Sequence, residues 1–244
     1  MKTAMAGAVK NNKKILNDLA IWESDIYGKG KQHNKYTWGE VYYYTNRYFL
    51  SQHSKVKGMN VLELGSGTGN NLVYFAGLGM NVYGIEASST ASSIARDRLT
   101  KFKNIKSEII CGNFCEQPLP FKSGFFDLIL DRGSITHNVL KDIKKVIGES
   151  YRMLKSGGMM ISIHFFSNKD SRCNNGVKVE TGTFKGMGGY AFADVPLVHF
   201  SNPEEIRALY KRFNIKFIEE KFAMRHYPYA GEEKSASFDI IAAK

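Results

Sequence analysis

The chain has 244 residues, of which 43% are hydrophobic and 13% aromatic. This length and composition are typical of a single α/β domain with additions, and they exclude a globally disordered chain. No apolar run reaches the roughly 18 residues of a membrane-spanning helix, and the apolar stretch near the start is too short for a secretory signal. Three cysteines without CxxC spacing predict reduced thiols, no structural zinc site and a cytoplasmic location.

The charge is strongly positive. Thirty-four Lys and Arg residues against 23 Asp and Glu residues give a formal net charge of +11. This balance favours an anionic partner, which can be nucleic acid, a membrane surface or a phosphorylated small molecule. The positive residues are spread along the whole chain, however, and a solvated lysine-rich surface explains them equally well. Charge alone therefore leaves the partner open.

Residues 1–55 are predicted to form an N-terminal arm and a helical cap, with a frayed arm or first helix over residues 1–20 and a helical stretch over residues 39–54. Residues 56–244 are expected to form the main domain, and the two parts one structural unit. Beyond residue 60, apolar runs of strand length alternate with helical stretches, which is typical of a parallel sheet. The predicted strands are Val61–Leu64, Val82–Ile85, Glu108–Cys111, Phe126–Leu130 and Met159–Phe165, and the helices between them are Asn71–Leu78, Thr90–Phe102 and Asp142–Leu154.

The alternation then stops at a Gly- and Asn-rich insertion over about residues 167–200, which includes TFKGMGGYAF. Structureless connections of this length are usually lids or binding loops, so we expect a lid here. Asn202 and Pro203 are an N-cap and a first-turn proline, and they predict a helix that ends near Phe213. Two last strands are predicted at Lys216–Phe222 and Ser237–Ala242.

The strongest local signal is the sequence VLELGSGTGNN, in which a buried strand leads into Gly65, Gly67 and Gly69 and then into a helix. Glycines at such a turn let a ligand approach the backbone, and the helix presents free N–H groups. Glu86 ends the next strand, where a carboxylate accepts hydrogen bonds from both hydroxyls of a ribose. The alternative role for Glu86 is to cap the helix that begins near Ser88.

Two nucleoside ligands fit this pattern, a nicotinamide dinucleotide and S-adenosylmethionine (SAM). A dinucleotide site has the pattern GxGxxG and a pyrophosphate at the helix N-terminus. Here the third glycine comes one residue early, Asn70 takes the place of the last glycine, and Glu63 would repel a phosphate. The sulfonium and ammonium of SAM would instead be attracted to Glu63, so the electrostatics favour SAM.

Residues from about 59 to 165 resemble the class I SAM-dependent methyltransferases in VLELGSGTG, Glu86, CGNF, FFDLILDRGS and LKSGGMMIS. The resemblance implies a Rossmann-like, doubly wound, mostly parallel sheet of seven strands with the last strand antiparallel, an N-terminal helical cap and a lid insertion after strand five. It implies that the glycine turn holds the methionine part of SAM, the acid the ribose, and the residues after strand three the adenine, although Asn113 stands where the family commonly has Asp. The expected SAM-binding residues are Glu63, Gly65, Ser66, Gly67, Gly69, Asn70, Glu86, Ala87, Asn113, Phe114 and Asp131, with Tyr36 and Trp38 from the cap.

The methyl acceptor is expected beyond the carboxyl ends of strands four to six, because ligands of open α/β sheets bind there. The Asn/Asp-Pro-Pro-aromatic motif of enzymes that methylate base nitrogens is missing after strand four, which argues against that acceptor. His137 is the first candidate for a general base and Arg132 for an anion clamp, each with a structural role as the alternative. The complete candidate catalytic set is Asp131, Arg132, His137, His164, Arg225 and His226, and no catalytic metal is predicted.

The stretch YGKGKQHNKYTWGEV also resembles a group of bacterial methyltransferases associated with surface-polysaccharide biosynthesis. This second resemblance implies a sugar, a phosphosugar or a related small precursor as the acceptor. Asp131, Arg132 and His137 suit a hydroxyl or acidic acceptor, so we expect O-methylation of a small, polar, anionic metabolite. The first alternative is an RNA methyltransferase, which the net charge favours and the missing base-methylation motif disfavours. A non-catalytic SAM-binding protein is an alternative of another class, and an NAD(P)-dependent oxidoreductase is the third.

Overall fold

The computed structural model describes residues 20–116, 118–187, 195–227 and 231–244. Within them lie ten strands and five α-helices. The strands are β1 (Asn60–Leu64), β2 (Asn81–Glu86), β3 (Ser107–Cys111), β4 (Phe126–Arg132), β5 (Leu154–Phe166), β6 (Val177–Glu180), β7 (Thr183–Lys185), β8 (Val198–His199), β9 (Asn214–Tyr227) and β10 (Gly231–Ala243). The helices are α1 (Gly39–Tyr44), α2 (Asn70–Gly77), α3 (Ser89–Leu99), α4 (Leu140–Met153) and α5 (Pro203–Leu209).

The main sheet has seven strands in the order β3-β2-β1-β4-β5-β10-β9. Neighbours from β3 to β5 are parallel, whereas β10 is antiparallel to both β5 and β9. This confirms the predicted mostly parallel sheet of seven strands with an antiparallel last strand. The strand order reverses between β1 and β4, and in open α/β sheets such a reversal opens a crevice at the carboxyl ends of the strands.

Two apolar clusters cover the two faces of the sheet. Val61 and Leu62 are adjacent in β1 and belong to opposite clusters, because successive side chains of a strand point to opposite faces. Helix α4 contributes Ile143, Val146 and Ile147 to one of them, at the spacing of a single helix face. Burial on both sides is why these strands appear in the sequence as nearly continuous apolar runs.

The insertion after β5 is ordered where it is described. Strands β6, β7 and β8 form an antiparallel sheet, and Phe166, Phe184, Met187, Val198 and Phe200 form a small core beside it. The expectation of a structureless connection is therefore wrong for these residues. Their strands were not predicted because they are too short to give a periodic signal. Residues 188–194, which include the second half of TFKGMGGYAF, lie outside the described residues, as do residues 1–19 of the arm predicted over residues 1–20.

Several element ends differ from the predicted ones. Helix α5 begins after Asn202 as predicted but ends at Leu209, and a hydrogen-bonded turn leads from there into β9. Strands β9 and β10 extend well beyond the predicted bounds, because they pair with each other past the core, with Arg225 opposite Glu233. Their outer residues are charged or exposed, so they carry no apolar strand pattern.

A π-helical segment, Trp22–Tyr27, and helix α1 precede the sheet. After α1 the chain continues as a π-helical turn, Thr45–Phe49, and a 3₁₀ turn, Leu50–Gln52. Glu23 fixes this segment to the start of α3, because its carboxylate accepts hydrogen bonds from the hydroxyls of Ser88 and Thr90, each at 2.5 Å. These bonds lower the pKa of Glu23 to about 2. The division into a cap and a main domain near residue 55 stays a prediction. No helix in the described parts of the chain is long and apolar enough to cross a bilayer.

The N-cap of α5 gives a test of the local fold. The side chain of Asn202 accepts a hydrogen bond from the backbone N–H of Glu205 at 2.8 Å. We expect Asn202→Ala to lower the free energy of unfolding by about 1 kcal/mol, as measured by urea denaturation. Asn202→Asp keeps the acceptor and should match the parent protein within a few tenths of a kcal/mol. Equal losses in the two variants would contradict the assigned cap.

Candidate functional site

A cavity of about 310 Å³ lies at the carboxyl ends of the parallel strands, where the strand order reverses. The glycine turn after β1 and the end of β2 form one side of it, and the turn after β4 and the end of β5 form the other. Trp22 and Tyr27 of the N-terminal segment, Val195 of the insertion and Arg225 of β9 also line it. The cavity therefore lies where the sequence predicted a ligand.

The three glycines of the turn have left-handed backbone conformations, with φ of 66° at Gly65, 50° at Gly67 and 75° at Gly69. Gly65 and Gly67 line the cavity, and a Cβ atom at Gly67 would lie 2.7 Å from the hydroxyl oxygen of Tyr27. Gly69 does not line it. A Cβ atom there would lie 2.9 Å from that of Ala95, so Gly69 allows α2 and α3 to pack closely. This corrects the expectation that Gly69 faces the cofactor.

Glu63 presents a buried carboxylate to the cavity. Its Oε1 accepts a hydrogen bond from the Asn71 amide at 2.6 Å, and its Oε2 has no hydrogen-bond partner among the described residues. Burial, together with the nearby carboxylates of Glu86 and Asp131, raises the pKa of Glu63 to about 8. A cation in the cavity would supply a partner for Oε2 and favour the charged form of the carboxyl group. Asn71 was not predicted as a site residue, because no sequence motif marks an amide that bonds to a buried carboxylate.

Glu86 lies between the glycine turn and the start of α3, whose N-cap is Ser88, and its role toward a ribose stays a prediction. Its Oε1 accepts the backbone N–H of Ser88, just before α3, and its Oε2 accepts the N–H of Gly67, each at 2.8 Å. The same buried side chain lines the cavity together with Ala87. Burial raises the pKa of Glu86, while the N–H groups of the two turns favour its charged form. The acid thus joins the glycine turn to the end of β2.

Asn113 and Phe114 line the cavity after β3, as expected. The side-chain oxygen of Asn113 also accepts the backbone N–H of Cys115 at 2.9 Å, so this residue shapes the turn as well. Asn70 lines the cavity too, and its amide donates to the carbonyl of Tyr36 at 3.0 Å.

The residues of the cap that line the cavity are only partly those that were expected. Trp38 lines it, but Tyr36 is 84% exposed and lies outside, which corrects the expectation for Tyr36. Tyr27 was missed, and burial together with Glu86 and Glu63 raises the pKa of its hydroxyl. Arg98 donates to the carbonyls of Asn34 and Thr68, and so ties the cap to the glycine turn.

The candidate catalytic set divides in two. Arg132, His137, His164 and Arg225 line the cavity, whereas Asp131 and His226 do not. This corrects the expectation for both, although Asp131 still shapes the site, because its Oδ1 accepts the N–H groups of Ser134 and Ile135, each at 3.0 Å. Burial raises the pKa of Asp131 to about 6. His226 is exposed and pairs with Glu232 at 3.0 Å, since adjacent side chains of β9 point to opposite faces.

Arg132 brings a largely buried positive charge to the cavity. Its guanidinium carbon lies 3.7 Å from the centre of the Trp38 ring, and its Nε has no hydrogen-bond partner within the described parts of the chain. No carboxylate of those residues forms an ion pair with it. Burial lowers the pKa of Arg132, although the acids around it, Glu40 and Asp239 first, favour its charged form. This charge can bind an anion.

His137 has a defined tautomer. Its Nδ1 lies 2.9 Å from the carbonyl oxygen of Leu197, and because a carbonyl only accepts, Nδ1 carries the proton. Burial lowers the pKa of His137 to about 4, so the ring is neutral near pH 7 and its Nε2 is a proton acceptor. Trp22 and Phe166 pack against the ring, with centroids 5.4 and 5.9 Å away.

His164 lies in a β-bulge at the end of β5. Phe238 pairs with Phe165 and Ile240 with Ser162, so two residues of β5 face the single residue Asp239. His164 has a φ of 64°, and its backbone N–H donates to Asp239 Oδ1 at 2.9 Å. Burial, together with the charges of Arg132 and Lys221, lowers the pKa of its ring to about 3.

Arg172 of the insertion also lines the cavity, although no sequence motif assigns it a role. It is buried, and its guanidinium donates two hydrogen bonds to Asp170, at 2.6 and 2.7 Å. A third bond reaches Glu233 at 3.0 Å, and Glu233 pairs more loosely with Arg225 at 3.6 Å. Among the residues that the structure describes, no group of His, Cys, Asp and Glu could hold a metal ion.

Comparison with known proteins finds a methyltransferase domain in the chain. Residues 62–162 match the family described as "Methyltransferase domain". A demethylmenaquinone methyltransferase of Tropheryma whipplei is 32% identical over 108 residues, which are 44% of this chain and 42% of that protein. The chain thus spans less than half the length of this curated relative.

Solved structures show the same fold. A SAM-dependent methyltransferase from Methanosarcina mazei aligns with a TM-score of 0.61 at 22% identity, over 81% of this chain and 97% of that one. Phosphoethanolamine N-methyltransferase 2 of Haemonchus contortus, in complex with SAM, aligns with a TM-score of 0.58 at 19% identity, over 85% of this chain and 52% of that one. Residues 62–162 therefore match a methyltransferase domain, and the likeness to the solved structures shows that the chain has a Rossmann-like methyltransferase fold.

The glycine turn gives a test of the cofactor site. We expect Gly67→Ala to weaken SAM binding at least about tenfold, because the new Cβ is strained at positive φ and collides with Tyr27. Gly124→Ala is the matched control, since Gly124 has a φ of 65° with nothing within 4 Å of its added Cβ. Calorimetric titration with SAM measures both. Unchanged affinity in Gly67→Ala would refute the assignment of this turn.

Proposed function

We propose that the chain transfers the methyl group of SAM to an oxygen atom of a small, polar, anionic metabolite, such as a sugar, a phosphosugar or another surface-polysaccharide precursor. The observation that carries this proposal is the pairing, in one cavity, of a neutral histidine with a free Nε2 and an arginine without an ion-pair partner in the described structure. The histidine suits the proton of a hydroxyl, and the arginine an anionic group on the same molecule.

The cavity residues fit SAM. The unpartnered Oε2 of Glu63 suits the cationic end of the molecule, and the hydroxyl of Ser66, also buried without a partner in the described structure, suits its polar atoms. Gly65 and Gly67 leave the backbone open to the methionine part. We assign the ribose to Glu86, and the adenine to Ala87, Asn113 and Phe114. When bound, SAM supplies an electrophilic methyl group on its sulfonium.

The chain's own task is then to place the acceptor and to manage its proton. Methyl transfer from a sulfonium is an in-line displacement, so orientation of the attacking oxygen is a main source of rate. Arg132 would hold an anionic group of the acceptor against Trp38. Arg225 offers a second, more exposed contact, because its ion pair with Glu233 is long at 3.6 Å. Arg172 is held by Asp170 and shapes the wall.

His137 is the proposed general base. Burial keeps the ring neutral and the contact with Leu197 keeps the proton on Nδ1, so Nε2 can accept the acceptor's hydroxyl proton as the oxygen attacks. The neutral His164 borders the same space and would contact the acceptor.

Label transfer tests the function directly. Purified protein is incubated with methyl-labelled SAM and one acceptor preparation at a time. The acceptor preparations are a panel of sugar phosphates, a small-molecule extract and RNA. We expect label in an anionic small-molecule product, bound through oxygen. Label in RNA would support the alternative favoured by the net charge. Tight binding of S-adenosylhomocysteine with no transfer to any fraction would indicate a non-catalytic SAM-binding protein.

The base is tested in the same assay with His137→Asn, whose amide can still donate to Leu197 but offers no Nε2. We expect the transfer rate to fall about 100-fold or more, while SAM affinity is retained. His53→Asn is the matched control, because the His53 ring also bonds a backbone carbonyl, that of Phe49 at 2.7 Å, and lies outside the cavity. A full rate in His137→Asn would exclude this base.

Glu63 gives a test that needs no acceptor. The pKa of Glu63 is about 8 without a cation, so the carboxyl group is mostly protonated at pH 7, and a bound cation would lower that pKa. We expect SAM binding at pH 7 to release up to about one proton, which calorimetry in buffers of different ionisation enthalpy measures. Glu63→Gln should abolish the release and weaken binding. Release that persists in this variant would contradict the role of Glu63.

A further inference from the structure

The turn that carries His137 is held from outside the main sheet, by the last strand of the insertion. The carbonyl oxygen of Leu197, just before β8, accepts the Nδ1–H of His137 at 2.9 Å. The carbonyl oxygen of His199, in β8, accepts the hydroxyl of Thr136 at 2.7 Å. Two carbonyls of one short segment thus fix two consecutive residues of the turn.

The same segment is anchored by a buried side-chain network. The ring of His199 is fully buried, with Nε2 at 2.6 Å from Glu205 Oε1 on α5 and Nδ1 at 2.7 Å from the Thr183 hydroxyl on β7. The hydroxyl of Ser201 donates to the same Glu205 oxygen at 2.6 Å. The network therefore joins the insertion's sheet to a helix of the main domain.

We infer that His199, Glu205 and Thr183 are positioning residues, which act on His137 by holding β8 in place. The inference rests on the proposed role of His137 as base. None of the three lines the cavity, so each acts through the backbone of β8 rather than on the acceptor.

The physical link is the tautomer of His137. A neutral imidazole carries one proton, and the Leu197 carbonyl holds it on Nδ1. If β8 shifts, that acceptor is lost and the proton can move to Nε2, which then no longer accepts a proton from a hydroxyl. A buried network with every ring nitrogen bonded resists such a shift, because an unpaired buried donor costs free energy.

The experiment uses the full chain with Glu205→Leu, which removes the acceptor of His199 and Ser201, and with Thr183→Val, which removes the hydroxyl. Imidazole nitrogen shifts of isotopically labelled histidine report the tautomer of His137 without any acceptor. We expect both variants to lose the Nδ1–H signature and to transfer label from SAM to the small-molecule extract roughly 10- to 100-fold more slowly. SAM affinity should be retained. The conservative variants Glu205→Gln and Thr183→Ser should recover much of both signals.

Glu149→Leu is the matched control. Glu149 is also a helix carboxylate with an ion pair, to Arg152 at 2.7 Å, and it accepts the N–H of Leu119, but it lies away from β8 and the cavity. It should leave the His137 signature unchanged.

A folded Glu205→Leu protein that keeps either the His137 signature or the full rate overturns the inference. Thr183→Val is judged by the same criterion if Glu205→Leu does not fold. Failure of the proposed function has a different outcome, in which His137→Asn itself transfers label at the full rate.

Discussion

The buried carboxylate of Glu63 is the group on which the arrangement of the cavity depends. Taking such a group out of water is costly unless hydrogen bonds or a cation compensate it. Asn71 supplies one hydrogen bond, the other oxygen has no partner in the described structure, and the pKa rises to about 8. The glycine turn follows Glu63 directly, and its Gly67 N–H holds Glu86 at the end of β2. Two acids and an open backbone thus converge on one space, which is the chemistry that a cationic nucleoside requires.

Segments outside the main sheet complete this space from two sides. The N-terminal segment is fixed to α3 by Glu23, and it brings Tyr27 against the glycine turn and Trp38 against Arg132. The insertion borders the opposite side of the cavity, where the backbone carbonyl of Leu197 accepts a hydrogen bond from the ring of His137. The parallel sheet therefore provides one side of the proposed cofactor site, while the proposed base depends on a contact with a segment that is remote in the sequence.

Much of the site could be predicted because its residues follow strands. The turn at Gly65 and Gly67, the acid Glu86 and the pair Asn113 and Phe114 all lie at strand ends, and parallel strands bring these ends to one edge. The strands of the insertion, four, three and two residues long, were missed because runs so short give no periodicity. On β9, Arg225 faces the cavity and His226 faces away, and the register that decides this is set by pairing with β10.

The sequence by itself determined the sheet and the edge at which the cavity lies, because buried apolar strands, a glycine turn and an acid at the next strand end are local patterns. The tertiary structure alone decided that Tyr27 rather than Tyr36 closes over the turn and that Asp131 shapes a turn instead of lining the cavity. It also decided which nitrogen of His137 carries the proton. The contacts of Tyr27 and of His137 join residues far apart in the chain, such as His137 with Leu197, and no local pattern of residues encodes them.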